Sequence, residues 1–403
     1  MYDAIVVGAR CAGSPTAMLL ARKGYRVLVV DRATFPSDTF RNHVLLYPAV
    51  RQLQRWGLLD RVAATNCPPI RLFTQDMGDF PLTGHVLETN GIDALYGPRR
   101  KYLDKILVDA AVEAGAEVRE GFSVQDLLRT AGRVTGIRGR TAAGTIVHEQ
   151  ARIVIGADGL HSIVARQVGA PTYNERPVLT WAYYSYWSDV SMPGAEFYRH
   201  DDEAMLAFPT NDGLTCVAAF GPIEDFAKIR LDIEGNFERM LDAFPAFTER
   251  VRGGRRMERF LGSADLPNFF RKPQGPGWAL VGDAGYHRDP VTGTGISEAF
   301  RDAELLADAI DAGLSGAQPL DEALANYEAT RNAMAGPGYE ATVQAATFGP
   351  LPAELLQLRA ALDGNQADTD RFIGVLTGTV SGAEFYTPEN IGRIMSMAYG
   401  TAA

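Results

Sequence analysis

The stretch that most limits what this chain can fold into is "AIVVGARCAGSPTAMLLARKGYRVLVVD", Ala4 to Asp31. The β-branched run Ile5–Val7 marks a strand buried on both faces of a parallel sheet. A glycine-punctuated turn, Gly8 to Gly13, follows it. "SPTAMLLARKG" then reads as a helix, capped by Ser14, with Pro15 tolerated in its first turn and Gly24 at its end. "YRVLVVD" is a second buried strand closing with Asp31. An acid about 20 residues beyond a glycine turn, within a βαβ unit, is the context of an adenine dinucleotide site. Gly8 permits the tight turn and Gly13 permits close helix–strand packing. The helix N-terminus offers N–H donors to phosphate, and Asp31 can accept a ribose hydroxyl. Arg10 stands where the middle glycine of Gly-x-Gly-x-x-Gly normally admits the pyrophosphate. Its side chain either adds charge beside the phosphates or turns to solvent.

Two later stretches repeat the strand–turn–helix pattern. "ARIVIGADGLHSIVARQVGA", Ala151 to Ala170, runs from a buried strand into Asp158-Gly159 and a helical segment capped by Ser162. "GWALVGDAGYHRDPVTGTGISEAFRDAELLADAI", Gly277 to Ile310, runs from a strand into Gly282-Asp283, then through a Pro- and Gly-rich loop into a long helix. Asp283 at the strand end can bind a polyol hydroxyl. Gly293 and Gly295 let a flat ring lie against bare backbone, and the helix beginning after Gly295 can stabilise negative charge on it. In "GPRRKYLDKILVDAAVEAGAEV", Leu103, Ile106, Leu107, Ala110, Ala111 and Ala114 form one apolar helical face closed by Gly115, with Arg100 at its start.

In this order and spacing the stretches resemble FAD-dependent oxidoreductases of the hydroxybenzoate-hydroxylase type, the group A flavoprotein monooxygenases. The broader superfamily includes geranylgeranyl reductases and flavin halogenases. The resemblance covers roughly residues 1–335. It implies an α/β fold: a glutathione-reductase-type Rossmann FAD domain, an antiparallel-sheet substrate domain and a helical C-terminal segment. It places Gly8, Arg10, Cys11, Ala12, Gly13, Asp31 and Arg32 at the ADP half of FAD, Arg100 near the phosphates and the Val124 backbone at the adenine. Asp158 and Gly159 are implied at both FAD and NAD(P)H, and Gly282 and Asp283 at the ribitol and pyrophosphate. The loop from Pro290 through Gly293 and Gly295 to Ile296 would border the isoalloxazine. His43, in "DTFRNHVLLYP", falls in a segment that borders flavin and substrate in this family, and Arg41 could pair with the flavin or a substrate anion. His287, Arg288 and Pro290 complete the catalytic candidates. Only one dinucleotide unit is visible, so NADPH or NADH is expected as a transient donor.

The expected domains are 1–72, 98–175 and 272–335 for FAD, 73–97 and 176–271 for substrate, and 336–403 as a helical segment. In "PVLTWAYYSYWSDV", Trp181, Tyr183, Ser185 and Trp187 share one face of a strand, and Tyr184 and Tyr186 the other. Tyr183, Tyr184 and Phe208 are the substrate candidates. "NFERMLDAFPAFTERV" reads as one helix. A net charge of −10 argues against nucleic acid or an anionic membrane surface as the partner. Cys11, Cys67 and Cys216 form no disulfide framework, and His43, His161, His200 and His287 show no metal-ligand spacing. A cytoplasmic monomer or homodimer without membrane insertion is expected, and the missing Gly-x-Ser-x-Gly elbow leaves hydrolase chemistry without support.

For the reaction, the resemblance implies an NAD(P)H-using monooxygenase. It would hydroxylate a mid-sized aromatic or polycyclic molecule with O₂ through a C4a-hydroperoxyflavin. A reductase or dehydrogenase of an isoprenoid-like substrate is the alternative. "MLAFPTND" keeps Phe208-Pro209 of the reductases' Tyr-x-Trp-x-Phe-Pro-Lys block but lacks its tyrosine, tryptophan and lysine. A flavin-binding partner protein without catalysis is the third reading.

Overall fold

The computed structural model describes residues 1–39 and 43–400. The chain forms two compact units. The first comprises Met1–Arg41, Arg99–Pro177 and Pro267–Val343, the second Asn42–Pro98, Val178–Leu266 and Gln344–Ala403. This grouping sets 42–72 with the substrate segments and divides the C-terminal part after 343, whereas the sequence reading keeps 42–72 with the nucleotide segments and begins a separate part at 336. The helix Leu320–Ala346 runs unbroken across that expected boundary.

In the first unit, Tyr2–Val7 lies at the middle of a sheet, parallel to Val27–Val30 on one side and to the second half of Ile146–Gly156 on the other. Trp278–Leu280 and Glu117–Arg119 extend the parallel order outward. The inner strands are buried on both faces, which is why they read as continuous apolar runs. The helix Gly13–Arg22 packs against the helices Arg100–Glu113 and Gly295–Leu314. On the other side, Ile5, Leu28, Val154, Phe122, Ile137 and Trp278 join one core. The first half of Ile146–Gly156 continues into an antiparallel meander with Arg133–Arg140 and Ser123–Thr130.

The second unit is built on an antiparallel sheet in the order Arg255–Arg256, Thr180–Ser188, Thr215–Pro222, Glu203–Pro209, Ala195–His200, Leu72–Asp76, Pro81–His85, with one parallel pairing between Ala195–His200 and Leu72–Asp76. The expected single helix over 236–251 is two, Ile233–Leu241 and Pro245–Gly253. Pro245 donates no N–H and holds Phe244 out of helical geometry, so the first helix must end and a second begins on the proline. Both cover one face of the sheet through Phe237, Met240, Phe247 and Val251. The C-terminal helices Ala353–Leu362, Gln366–Thr377 and Pro388–Tyr399 pack on the strand Pro81–His85 through Leu82, Leu362, Phe372, Ile373 and Ile394. A Cβ on Gly84 would lie 2.7 Å from Ile373, so the helix approaches bare backbone there. Among the described residues no helix is long and apolar enough to cross a membrane.

Arg359 anchors these helices. It is fully buried and donates to Asp79 at 2.8 and 2.7 Å, to Gln75 Oε1 at 2.9 Å and to the Phe80 carbonyl at 2.6 Å. Burial alone would raise the Asp79 carboxyl, but the bonds from Arg359 hold it below its ordinary value. Arg359→Met removes a buried guanidinium from Asp79, Gln75 and the Phe80 carbonyl, and with Asp79 open to water it should cost about 1–3 kcal/mol in urea unfolding. A loss within about 0.5 kcal/mol, the range of an ordinary surface change, would contradict the anchor.

Candidate functional site

The turn after Tyr2–Val7 is shaped by backbone contact. Gly8 has a φ of +102°, and a Cβ on it would lie 2.5 Å from the Ala157 carbonyl oxygen. A Cβ on Gly13 would lie 1.8 Å from the Gly8 carbonyl oxygen. Both positions therefore require glycine. Ser14 is not the cap expected from the sequence. The helix begins at Gly13 behind Ala12, and the Ser14 hydroxyl donates to the Ala9 carbonyl at 2.8 Å, tying the first turn back to the loop. Asp31 accepts the Ala9 N–H at 2.7 Å and the Ala33 N–H at 2.8 Å. These use two of roughly four acceptor positions on a carboxylate. Arg32 is exposed, and Arg41 lies outside the described residues.

Arg10 does not turn to solvent. Its guanidinium donates to Asp104 and, at 3.1 Å, to the Ser37 hydroxyl, and it sits 5.3 Å from the centre of the Phe35 ring. Asp104 is fully buried and also accepts Arg100 Nε at 3.0 Å and Nη2 at 2.8 Å. One carboxylate thus joins two guanidiniums, and the three together keep a net positive charge beside the glycine turn. Burial works against the Arg100 charge. Asp104 foremost, with Asp283 among the other charges, outweighs it and holds the guanidinium above its ordinary value. The Cys11 thiol lies 3.5 Å from Asp104, and burial pushes it up to about 12, so it stays protonated. The sequence reading missed Asp104. Its signal was an acid four residues after Arg100 on one helix.

The two later motifs close on this turn. Asp158 accepts the Ser162 hydroxyl at 2.5 Å and the Ile163 N–H at 2.6 Å, and Ser162 in turn caps the helix by accepting the Ala165 N–H at 3.0 Å. Burial raises the Asp158 carboxyl. Gly159, beside it, has a φ of +78°. Gly282 has a φ of +61°, and a Cβ on it would lie 2.7 Å from the Ala12 Cβ. That close approach brings the third motif onto the first, with Asp283 half-buried in the short turn Gly282–Ala284. The long helix Leu320–Ala346 fixes this turn. Tyr327 donates to the Leu280 carbonyl at 3.0 Å and Arg331 to the Gly285 carbonyl at 3.0 Å. Val124, half-buried, packs against the core of the same unit.

Beyond it, Asp289 accepts the Val291 N–H at 3.0 Å and starts the turn Pro290–Thr292. Gly293 is left-handed, and the helix Gly295–Leu314 begins with Gly295 exposed and Ile296 buried. Among the described residues, apart from its chain neighbours and its own helix backbone, nothing lies within 4 Å of where a Gly295 Cβ would stand. The His287 ring donates from Nδ1 to the Pro267 carbonyl and stacks 6.1 Å from Phe269. Arg288 folds back onto Thr294 and Glu298.

In the second unit His43 is fully buried, with Nδ1 3.1 Å from the Gly97 carbonyl and Nε2 2.9 Å from the Tyr186 hydroxyl. A carbonyl only accepts, so Nδ1 carries the hydrogen of the neutral ring and Nε2 accepts from Tyr186. Thr210 also donates to the Gly97 carbonyl, at 2.6 Å. The His43 ring lies 5.1 Å from Phe208 and 6.4 Å from Tyr184, both edge-on. Pairing across the sheet puts Tyr186, Cys216 and Phe208 in one row and Tyr184, Ala218 and Leu206 in the next. Tyr183 points the other way, into a core with Trp181, Trp187 and the helices, stacked on Phe226 at 6.3 Å. It packs the sheet to its helices, unlike Tyr184 and Phe208. Tyr186 was not among the sequence candidates. Its signal was the two-residue spacing from Tyr184.

The charge cluster makes a graded prediction. Asp104→Ala leaves two guanidiniums side by side without a carboxylate and should cost about 3–5 kcal/mol of stability. Arg10→Met leaves Arg100 on Asp104 and should cost only about 1–3 kcal/mol. Equal losses in denaturant unfolding would contradict the shared-carboxylate arrangement.

The FAD binding domain family matches residues 1–241. Digeranylgeranylglycerophospholipid reductase of Methanosarcina mazei is 30% identical over 321 residues, 76% of this chain and 74% of the relative. The protein of that name from Methanothrix thermoacetophila is 27% identical over 333 residues, 79% of this chain and 81% of the relative. Among solved structures, the myxobacterial chondrochloren halogenase CndH superposes with a TM-score of 0.79 at 23% identity, covering 98% of this chain and 96% of that one. PqsL of Pseudomonas aeruginosa, a probable FAD-dependent monooxygenase, superposes with a TM-score of 0.71 at 21% identity, covering 93% and 99%. Three glycine turns converging beside a buried, net-positive cluster fit a dinucleotide diphosphate, and with the match over more than half its length the chain belongs to the FAD binding domain family, within the FAD-dependent oxidoreductases.

Proposed function

We propose that this chain is a hydroxylase of a mid-sized, largely apolar aromatic or polycyclic molecule, with FAD as cofactor, O₂ as oxygen source and NADPH or NADH as electron donor. In this reading the backbone at Gly8, Gly13 and Gly282 admits the diphosphate, and the Arg10–Asp104–Arg100 cluster supplies its counter-charge. Asp31 and Asp283 accept ribose and ribitol hydroxyls. The N-terminus of the helix Gly295–Leu314, bare at Gly293 and Gly295, favours negative charge on the flavin ring. Bound FAD would supply the two-electron redox chemistry.

The observation that carries the hydroxylase reading is the His43–Tyr186 pair on an otherwise apolar sheet face. Tyr186 donates a hydrogen bond to His43 Nε2, and in this reading its oxygen would take the proton of a phenolic hydroxyl as its own moves to Nε2. Passing that proton along to Nε2 gives an imidazolium whose Nδ1–H the Gly97 carbonyl already holds. A phenol relieved of its proton is a stronger carbon nucleophile at the ring position to be hydroxylated. Such positioned proton transfer is worth about 10²–10⁴-fold in rate. Tyr184 and Phe208 would offer the aromatic contacts.

A second reading, saturation of an isoprenoid-like double bond, is supported by the named reductases at 27–30% identity over about three quarters of each chain. Anaerobic reduction of the FAD-loaded protein by NADPH or NADH, with a panel of phenols, polycyclic aromatics and isoprenoids, followed by O₂ and mass spectrometry, separates the readings. A product that gains one oxygen atom is expected. A gain of two hydrogens without oxygen would replace hydroxylation by reduction, and donor oxidation indifferent to every compound would count against both. With a phenolic substrate, His43→Gln should slow product formation by about 10²-fold while FAD stays bound. An unchanged rate would remove the pair from the chemistry.

A further inference from the structure

Neither the cofactor reading nor the substrate reading uses a knot of charge at the segment Asp289–Thr294. Arg288, just before that segment, is 7% exposed. Its Nη2 donates to the Thr294 hydroxyl and lies 2.9 Å from Glu298 Oε1. Thr294 precedes the helix Gly295–Leu314, and Glu298 stands in its first turn. One guanidinium from just before the segment therefore ties to its last residue and to a carboxylate beyond it. Arg288 Nε and Nη1 are buried without a hydrogen-bond partner among the described residues. Nη1 lies against Gly338, where a Cβ would stand 2.7 Å from it. A buried guanidinium with two nitrogens unsatisfied depends heavily on the one carboxylate it has.

Glu298 is surrounded by competing groups. The Tyr286 hydroxyl is 3.4 Å away and Arg301 Nη1 is 3.9 Å away. Arg301 is itself drawn to Asp302 at 2.7 Å, and Arg331 of the long helix also acts on Asp302. Two further ties of the segment are hydrogen bonds between groups that do not titrate near neutrality. The Asp289 N–H donates to Asn268 Oδ1 at 2.7 Å, and the Thr292 and Thr342 hydroxyls meet at 3.0 Å.

We propose that Arg288 and Glu298 are positioning residues that form a proton-controlled clasp. Ionised Glu298 fixes Arg288, and with it the segment Asp289–Thr294, to the start of the helix, and a proton on Glu298 releases them. Its bearing on the flavin rests on the reading above, in which this segment borders the ring. The clasp itself does not. Burial pushes the Glu298 carboxyl from 4.5 up to about 7, against the pull of Arg288 and Arg301 and with Asp302 adding to the rise. The sign follows. A carboxyl raised on folding binds its proton more tightly in the native state, so global stability falls as pH rises from about 4.5 to about 7. A released Glu298 that stays buried but loses Arg288 would hold its proton more tightly than in the clasp, so ionisation at and above about pH 7 favours closure. Local order at 289–294 should therefore rise with pH above the range in which the Glu298 contribution to global stability falls, a pairing that a static packing role does not give.

Hydrogen exchange of the peptide spanning 286–298, corrected for intrinsic rates, tests this on the FAD-loaded protein between about pH 6 and pH 8. The ionised fraction of a group titrating near 7 changes about tenfold over that range. Protection in the wild type should therefore rise several-fold with pH. Glu298→Gln, and independently Arg288→Met, should hold protection at the low-pH level throughout. A wild-type profile flat with pH, or a step that survives either substitution, would overturn the clasp. Should Glu298→Gln fail to fold, Arg288→Met decides alone. A sample without flavin absorbance would sink the cofactor reading while leaving the exchange result to judge the clasp, so the two failures are distinguishable.

Discussion

The carbonyl of Gly8 and the Cα of Gly13 lie so close that no side chain fits between them, and the first unit is arranged around that contact. It forces the chain to reverse within one turn, so the helix Gly13–Arg22 starts directly at the end of the strand Tyr2–Val7. The parallel neighbour then brings Ala157 beneath Gly8, and Gly282 comes down on Ala12. Three strand ends therefore meet in bare backbone at the N-terminus of the helix Gly13–Arg22. Backbone N–H groups and positive dipole ends converging there are what a diphosphate needs.

Charge is handled with the same economy of parts. Two guanidiniums share one fully buried carboxylate, so losing Asp104 leaves both cations uncompensated, whereas losing Arg10 still leaves Arg100 paired with it. Arg10 is thus neither a replacement for the usual glycine nor an idle surface residue. It is half of a pair of cations whose common anion, Asp104, sits on the helix Arg100–Glu113 with the other cation. Arg288 and Glu298 apply similar logic less completely, with two donor nitrogens left over and a carboxyl poised near neutrality.

Local pattern carried the nucleotide-binding elements well. Ile5–Val7, Val27–Val30, Ile153–Gly156 and Trp278–Leu280 are strands because β-branched and aromatic runs buried on both faces have little else to become. What failed were questions that local pattern does not pose. Ser14 has the chemistry of a cap, but the Gly8–Gly13 contact starts the helix one residue earlier and gives its hydroxyl to Ala9. A two-residue alternation separates Tyr183 from Tyr184 and Tyr186, yet nothing in the strand says which face the helices from Ile233 to Gly253 will cover. Asp104 and Tyr186 became visible only once residues distant in sequence, Arg10 and His43, were brought to them. The C-terminal helices read correctly as helices, but their seat on Pro81–His85 depends on Gly84 and on the buried Arg359, partners some 280 residues away.

Whether the converging glycine turns seat a cofactor is decided by absorbance titration of the purified protein with FAD. A flavin spectrum saturating near one FAD per chain is expected. Gly282→Val, whose added Cβ would meet Ala12 at 2.7 Å in a left-handed backbone, should lose that binding. A protein that takes up no flavin at saturating FAD, or a Gly282→Val variant that binds as tightly as the wild type, would contradict it.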